Sequence, residues 1–300
     1  MHARSLGNDV TGRVAVGAVG LGVLPMSLPF RPPPEQCVRT IHAALDAGVR
    51  LLDTADAYCA GPDDFGHGET LIAQALRGRD ASQVLVATKG GHLRPSGDEW
   101  TVDGSPAYLR RACEASLHRL GVEAIGLYQH HRPDPAVAYE DSMGELRRLW
   151  EQGKVRMVGI SNASVSQIQC ARDVLGPALV SVQNRFGPGS SDEEATLRYC
   201  AGHGLAFLAW APLGSIAVAP RLADHYPELT RVADRYGVSV QRACLAWLLG
   251  SSPVLVPIPG ASRPETAADS AAAAGLVLTA DERAALDAAL GAASNSLDSD

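Results

Sequence analysis

Three short apolar runs in this chain end in side chains that can move a proton. Leu51-Leu52 is followed by Asp53 and, five residues further on, by Tyr58. Val86-Ala87 leads through Thr88 to Lys89, and Leu127-Tyr128 leads through Gln129 to His130 and His131. Together these ends offer a carboxylate, a phenol, an ammonium and an imidazole. A phenol with its pKa near ~10 is a poor acid at neutral pH. A nearby ammonium favours the phenolate and lowers that value, and a carboxylate can hold the ammonium in place. The imidazole can hydrogen-bond the same reacting oxygen. Tyr58 would then protonate an oxygen as it gains negative charge. Neighbours on a strand face opposite sides, so one of His130 and His131 should point away from the other three groups.

The scarcity of lysine sharpens the reading of Lys89. Among 26 basic residues only Lys89 and Lys154 are lysines, and the rest are arginines. Where this chain merely needs positive charge it carries Arg. A Lys therefore marks a place where the broad guanidinium fork would not fit a compact point-charge role. Lys154, in Gly153-Lys154-Val155 after a helical stretch, reads as a structural cation at a helix end. Asp53 and Lys89 taken alone could be no more than a structural ion pair.

Bulk composition removes several classes of function. The 300 residues are 46% hydrophobic and 20% charged, with a formal net charge of −7. This balance is that of a folded globule and not of a disordered chain. The acidic surplus speaks against a nucleic-acid or anionic-membrane partner, whose phosphates need basic surface. The six cysteines show no CxxC and no Cys/His zinc spacing, so free thiols in a reducing cytoplasm, and no metal, are expected. Three stretches carry no charge, 14–30, 204–220 and 243–262. Each is broken by Gly and Pro, so all three read as buried elements of a soluble protein and not as a signal peptide or a membrane span.

The elements that must position the chemistry alternate along the chain. Short apolar runs at 19–21, 49–52, 84–87, 125–128, 155–160, 179–182, 205–209 and 254–256 read as strands. Helical patterns follow at 35–47, 69–76, 106–120, 139–152, 165–175 and 193–201, then as pairs at 229–236 with 240–249 and at 264–273 with 280–290. The clearest is 106–120, with Ser105 as cap, Pro106 at its first position and Gly121 after it. Strands apolar at nearly every position and alternating with helices mean a parallel sheet covered by helices. Eight units over this length predict an α/β fold, a closed (β/α)8 TIM barrel in a single domain over 1–300, with 1–11 and 294–300 loose. An open doubly wound sheet is the alternative, but Gly17, Gly20 and Gly22 lack its phosphate-binding glycine spacing. In a barrel the active site lies at the C-terminal ends of the strands, which is where Asp53, Tyr58, Lys89 and His131 fall.

At these residues the chain resembles the aldo-keto reductase superfamily over about 12–290. The stretches that carry the resemblance are Gly20-Leu21-Gly22, GVRLLDTADAY (48–58) with GHGETLIAQAL (66–76), VATKGG (86–91), LHRLGVEAIGLYQHHRPDP (117–135), GKVRMVGISN (153–162), SVQNRF (181–186), LAWAPLG (208–214) and VPIPGAS (256–262). The resemblance points to the potassium-channel β-subunit-like and pyridoxal-reductase-like branch. It implies reduction of an aldehyde or ketone to an alcohol by hydride transfer from NADPH, with NADH as the alternative cofactor and a small-molecule carbonyl as substrate. It assigns a tetrad of Asp53, Tyr58, Lys89 and His131, with Tyr58 as general acid and His131 polarising the carbonyl. A His at this place argues against the family's steroid double-bond reductases, which carry Glu there.

The same resemblance implies a cofactor groove. Ser161, Asn162 and Gln183 match residues that bond the nicotinamide carboxamide, and Trp210 matches the position that stacks on the ring. Gly22 belongs to the same groove. Leu213 and Ser215 match a loop over the pyrophosphate, and Gly260, Ser262 and Arg263 match the binding site of the 2′-phosphate. Two departures stand out: Thr266 replaces a basic residue common in the family, and Asp269-Ser270 stands where the family has the Glu-Asn pair that reads adenine. Met26, Phe30 and Trp100 could line the substrate pocket or could be core packing. A cofactor-binding redox-sensing or regulatory subunit, as in the potassium-channel β subunits, is the alternative function.

Overall fold

The computed structural model describes residues 4–96, 99–189 and 193–291. The chain opens with a hairpin of β1 (Arg4–Asn8) and β2 (Gly12–Gly17), paired antiparallel. Then come β3 (Leu21–Gly22), α1 (Pro34–Asp46), β4 (Leu51–Asp53), α2 (His67–Leu76) and β5 (Leu85–Gly90). A second antiparallel hairpin, β6 (His92–Ser96) and β7 (Glu99–Val102), precedes α3 (Pro106–Leu120) and β8 (Ile125–His130). The alternation continues through α4 (Tyr139–Glu151), β9 (Val155–Ser161), α5 (Val165–Leu175), β10 (Leu179–Arg185), α6 (Glu194–Gly202) and β11 (Ala206–Trp210). The helices α7 (Leu222–His225), α8 (Pro227–Tyr236) and α9 (Val240–Ser251) lead to β12 (Leu255–Pro257), α10 (Pro264–Ala272) and α11 (Ala280–Gly291).

Eight strands form one parallel sheet in the order β12-β11-β10-β9-β8-β5-β4-β3. The sheet closes on itself. Gly20 N donates to Pro257 O at 2.9 Å and Gly22 N to Pro259 O at 3.0 Å, beside a parallel bridge between Gly22 and Gly260. The seam is tight: a Cβ on Gly22 would stand 3.1 Å from the Ile258 carbonyl oxygen. The result is the (β/α)8 barrel predicted from the alternation. Helix α3 shows why the local signals worked. Ser105 Oγ accepts from Tyr108 N at 3.2 Å, Pro106 opens the helix, and Gly121 closes it at φ +67°, each satisfying or avoiding an unpaired end group.

Two packing layers hold the barrel together. Outside, α3 to α9 bury Cys113, Leu146, Ile168, Leu229 and Leu245 around the outward strand residues Val158, Val182 and Phe207. Inside, Leu51, Leu85, Leu127, Met157, Val180, Leu208 and Val256 meet Leu6 and Val16 from the first hairpin. Contrary to the expectation of a loose start, the chain is held in place from Arg4 onward. Leu6 and Val16 plug the N-terminal mouth of the barrel, Asn8 Nδ2 donates to Pro177 O at 2.8 Å, and Arg4 reaches the carbonyls of Leu249, Ser252 and Leu255. Residues 294–300 lie outside the described residues. The six cysteines are all free. Among the described residues no helix is long and apolar enough to cross a membrane.

Candidate active site

The C-terminal ends of β4, β5 and β8 meet at one point. Asp53 is the last residue of β4, Lys89 stands one residue from the end of β5, and His131 follows β8 directly. Lys89 Nζ donates to Asp53 Oδ1 at 2.6 Å, to Thr54 O at 2.8 Å and to Tyr58 Oη at 3.4 Å. His131 is pinned by its own backbone: its N–H donates to Gly90 O at 2.9 Å and its carbonyl accepts from Asn162 Nδ2 at 3.0 Å. Its ring meets Tyr58 edge-on, with centroids 5.6 Å apart. Asp53, Lys89 and His131 are buried and Tyr58 is half-buried, so Tyr58 alone of the four keeps a substantial open face. His130 points the other way, buried against Tyr139 of α4.

Burial sets the protonation states. Burial pushes the Tyr58 phenol above its ordinary value; Lys89 pulls it down, as the sequence suggested, but burial wins. Burial would push the Lys89 ammonium down, yet Asp53 and Tyr58 outweigh it and the group sits above its usual value. His131 is driven well below 6.5 by burial and then by Lys89, so it is a neutral imidazole. Asp56, two residues before Tyr58, is fully buried and accepts from Tyr108 Oη at 3.0 Å. Burial, then Glu69, raises its carboxyl well above its ordinary value. The site thus holds one proton donor that keeps its proton, one fixed cation and one neutral hydrogen-bonding ring.

Beside this cluster lies a row of amides and hydroxyls. Ser161 Oγ donates to Gln183 O at 2.7 Å, and Asn162, at φ +56°, donates from its own backbone to the same carbonyl. Gln183 Nε2 donates to Asp53 Oδ2 at 2.8 Å. Trp210 ends β11 with its Nε1 buried and unpartnered among the described residues. Beyond it Ala211 takes φ +48°, Leu213 is buried, and Ser215 is exposed with its Oγ accepting from Val218 N. Gly260 and Arg263 are exposed, and Ser262 is half-buried with its carbonyl taking the Gln36 amide at 2.8 Å.

A sequence profile of the Aldo/keto reductase family matches residues 14–290. The chain belongs to that family. An uncharacterized oxidoreductase of Schizosaccharomyces pombe is 35% identical over 253 residues, covering 84% of this chain and 78% of the relative. Among solved structures, a glycerol dehydrogenase from Gluconobacter oxydans superposes with a TM-score of 0.82 at 27% identity, covering 100% of this chain and 98% of its own. An aldo-keto reductase from Klebsiella pneumoniae, determined in complex with NADPH, reaches a TM-score of 0.79 at 26% identity, covering 97% of this chain and 96% of its own.

Several positions differ from the sequence expectation. Met26 is fully buried in the core between α1 and α2, among Val23, Cys37, Ile41 and Ile72, so it lines no pocket. Phe30 stands wholly in solvent at φ +66° and packs against nothing that would make it a pocket wall. The Asp269 carboxylate is already engaged by Arg242, at 2.9 Å from its Nε, and by Ser239 Oγ at 2.5 Å, while Ser270 is buried in α10. Neither offers a free group to an adenine in this arrangement. Lys154 pairs with the Glu114 carboxylate, a surface pair and not a cap on helix carbonyls. Trp100 lies in strand β7, where it stacks on His92 at 4.7 Å with the Arg94 guanidinium 5.2 Å from its ring. His92 in turn meets His131 edge-on at 4.8 Å, and Arg94 Nη1 donates to Cys59 O at 2.7 Å, steadying the segment that carries Tyr58. His92, Arg94 and Gln129 went unrecognised in the sequence. Gly97-Asp98 between two short runs is hairpin chemistry and would have pointed to the first two.

Proposed function

We propose that the chain reduces an aldehyde or ketone to an alcohol with NADPH, using Tyr58 as the general acid. The observation that carries this reading is the shared ammonium: one Lys89 Nζ lies 2.6 Å from Asp53 Oδ1 and 3.4 Å from Tyr58 Oη, under a neutral His131. Such a cluster has one task it performs well. Tyr58 gives its proton to an oxygen that is becoming an alkoxide, Lys89 stabilises the phenolate left behind, and Asp53 holds Lys89 on station. His131, uncharged, orients the same oxygen without repelling Lys89. A phenol lifted by burial keeps its proton until that oxygen gains charge.

The remaining residues fit a nicotinamide dinucleotide. Ser161, Asn162 and Gln183 present amide and hydroxyl groups suited to a carboxamide, and Trp210 offers an aromatic face with an unpartnered N–H at the next strand end. The exposed Arg263 can meet a ribose phosphate bidentately, which favours NADPH over NADH. Bound there, the cofactor supplies the hydride. NADPH in the Klebsiella relative supports the same reading. Tyr58→Phe tests it. Steady-state NADPH oxidation across a panel of aldehydes should fall more than about a thousandfold, while NADPH still quenches tryptophan fluorescence. Turnover within about tenfold of wild type, on any aldehyde the wild type reduces, would remove Tyr58 from the role.

A further inference from the structure

We infer that Gln129 is a positioning residue, one that takes over from Gln183 as hydrogen-bond donor to Asp53 when NADPH engages Gln183. The inference rests on the reductase reading above. Asp53 must keep donors on both carboxylate oxygens, because a buried unpaired carboxylate oxygen carries its full desolvation cost. Lys89 serves Oδ1. Oδ2 has two amide donors, Gln183 Nε2 at 2.8 Å and Gln129 Nε2 at 3.3 Å. The amides also touch each other, Gln183 Nε2 lying 3.3 Å from Gln129 Oε1. All of these groups are buried inside the barrel.

The two glutamines are not equivalent. Gln183 lies next to Ser161 and Asn162, within the row suited to a carboxamide. A Gln183 amide turned toward a carboxamide gives up the 2.8 Å bond to Asp53. Gln129 is fully buried and spends its amide within the barrel, already poised at the long end of hydrogen-bond distance. The side chain fits against the neighbouring strand only because residue 159 is glycine. A Cβ on Gly159 would stand 2.9 Å from Gln129 Cγ and 3.1 Å from its Oε1. A small rotation of the side chain then closes the gap to Oδ2 while β8 stays where it is. Asp53 stays satisfied, and Lys89 stays on Tyr58, whether or not the cofactor is present.

Gln129→Met keeps the volume and removes the amide. In the cofactor-free protein Gln183 still serves Asp53, so the melting temperature should stay within about 2 °C of wild type. NADPH, titrated by tryptophan fluorescence, should bind about tenfold more weakly, because binding now strips Oδ2 of its last amide donor. Gln129→Asn, whose amide is one methylene short, should behave the same way. A thermal double-mutant cycle on the cofactor-free protein reads the shared acceptor directly. Gln129→Met with Gln183→Met should lower the melting temperature by about 4 °C more than the two single losses added together. Wild-type NADPH affinity in Gln129→Met, or strict additivity in the cycle, overturns the exchange. Failure of the wild-type protein to bind NADPH overturns the reductase reading and the exchange with it.

Discussion

The two ends of the barrel interior are built from the same strands by opposite rules. Inward positions on β4 read Leu51 then Asp53; those on β5 read Leu85, Ala87, then Lys89. Strand β8 turns from Leu127 to Gln129, β9 from Met157 through Gly159 to Ser161, and β11 from Leu208 to Trp210. The lower end is apolar throughout and sealed by Leu6 and Val16. The upper end is a polar network in which Asp53 accepts from Lys89, Gln129 and Gln183. Burial is nearly complete at both ends, so hydrophobicity does not separate them. What separates them is whether hydrogen bonds compensate the burial. The lower end is stable because it holds nothing to satisfy. The upper end is tolerable only because every charge in it has a partner, and removing one partner leaves a buried charge alone.

That contrast yields effects of different size. The largest stability loss should come from the sealed end. Leu127→Ala should cost about 3 kcal/mol in urea or thermal unfolding through lost burial and a residual cavity, while the surviving folded fraction keeps its NADPH affinity. A stability loss with a parallel loss of affinity would show that the two ends are not separable.

A smaller effect should come from acid, through histidines buried outside the polar network of the upper end. His130 is buried and its pKa is lowered to about 4 from 6.5 by burial. Its neutral form is therefore the folded one. Stability from this group is complete above the unfolded value, falls as pH drops below about 6.5, and stops falling below about 4. Between pH 8 and pH 5 the loss is about 2 kcal/mol from His130 alone. His92, also lowered to about 4 by burial and by Arg132, adds in the same direction. Unfolding free energies at the two pH values should differ by about 2 kcal/mol less in His130→Phe than in wild type. An unchanged difference would place the acid sensitivity elsewhere.

Legibility from sequence followed the locality of each cause. Asp53, Lys89 and His131 announced themselves because each ends an apolar run, and a parallel barrel puts strand ends together. Their neighbour Gln129 did not, because an amide one residue before a histidine pair has no local mark; its meaning lies in Asp53 and Gln183, on other strands. The pairing of Asp269 was hidden for the same reason, since Arg242 and Ser239 reach it from another helix. Met26 ends a single 3-10 turn and Phe30 lies in the loop after it, where nothing in the sequence says which side chain turns inward. The first hairpin was hidden by its polar, glycine-rich composition, although Val14 and Val16 alternate as a half-buried strand should.

The two lysines carry the sharpest form of the comparison. Lys154 is a surface cation paired with Glu114, while Lys89 is fully buried between Asp53 and Tyr58. If the upper network needs a compact point charge, Lys89→Arg keeps the charge and loses the geometry. The decisive measurement is kcat for NADPH-dependent aldehyde reduction by folded, NADPH-binding Lys89→Arg. The expected result is a loss of more than about a thousandfold. A variant turning over within about tenfold of wild type would contradict the point-charge account of the site.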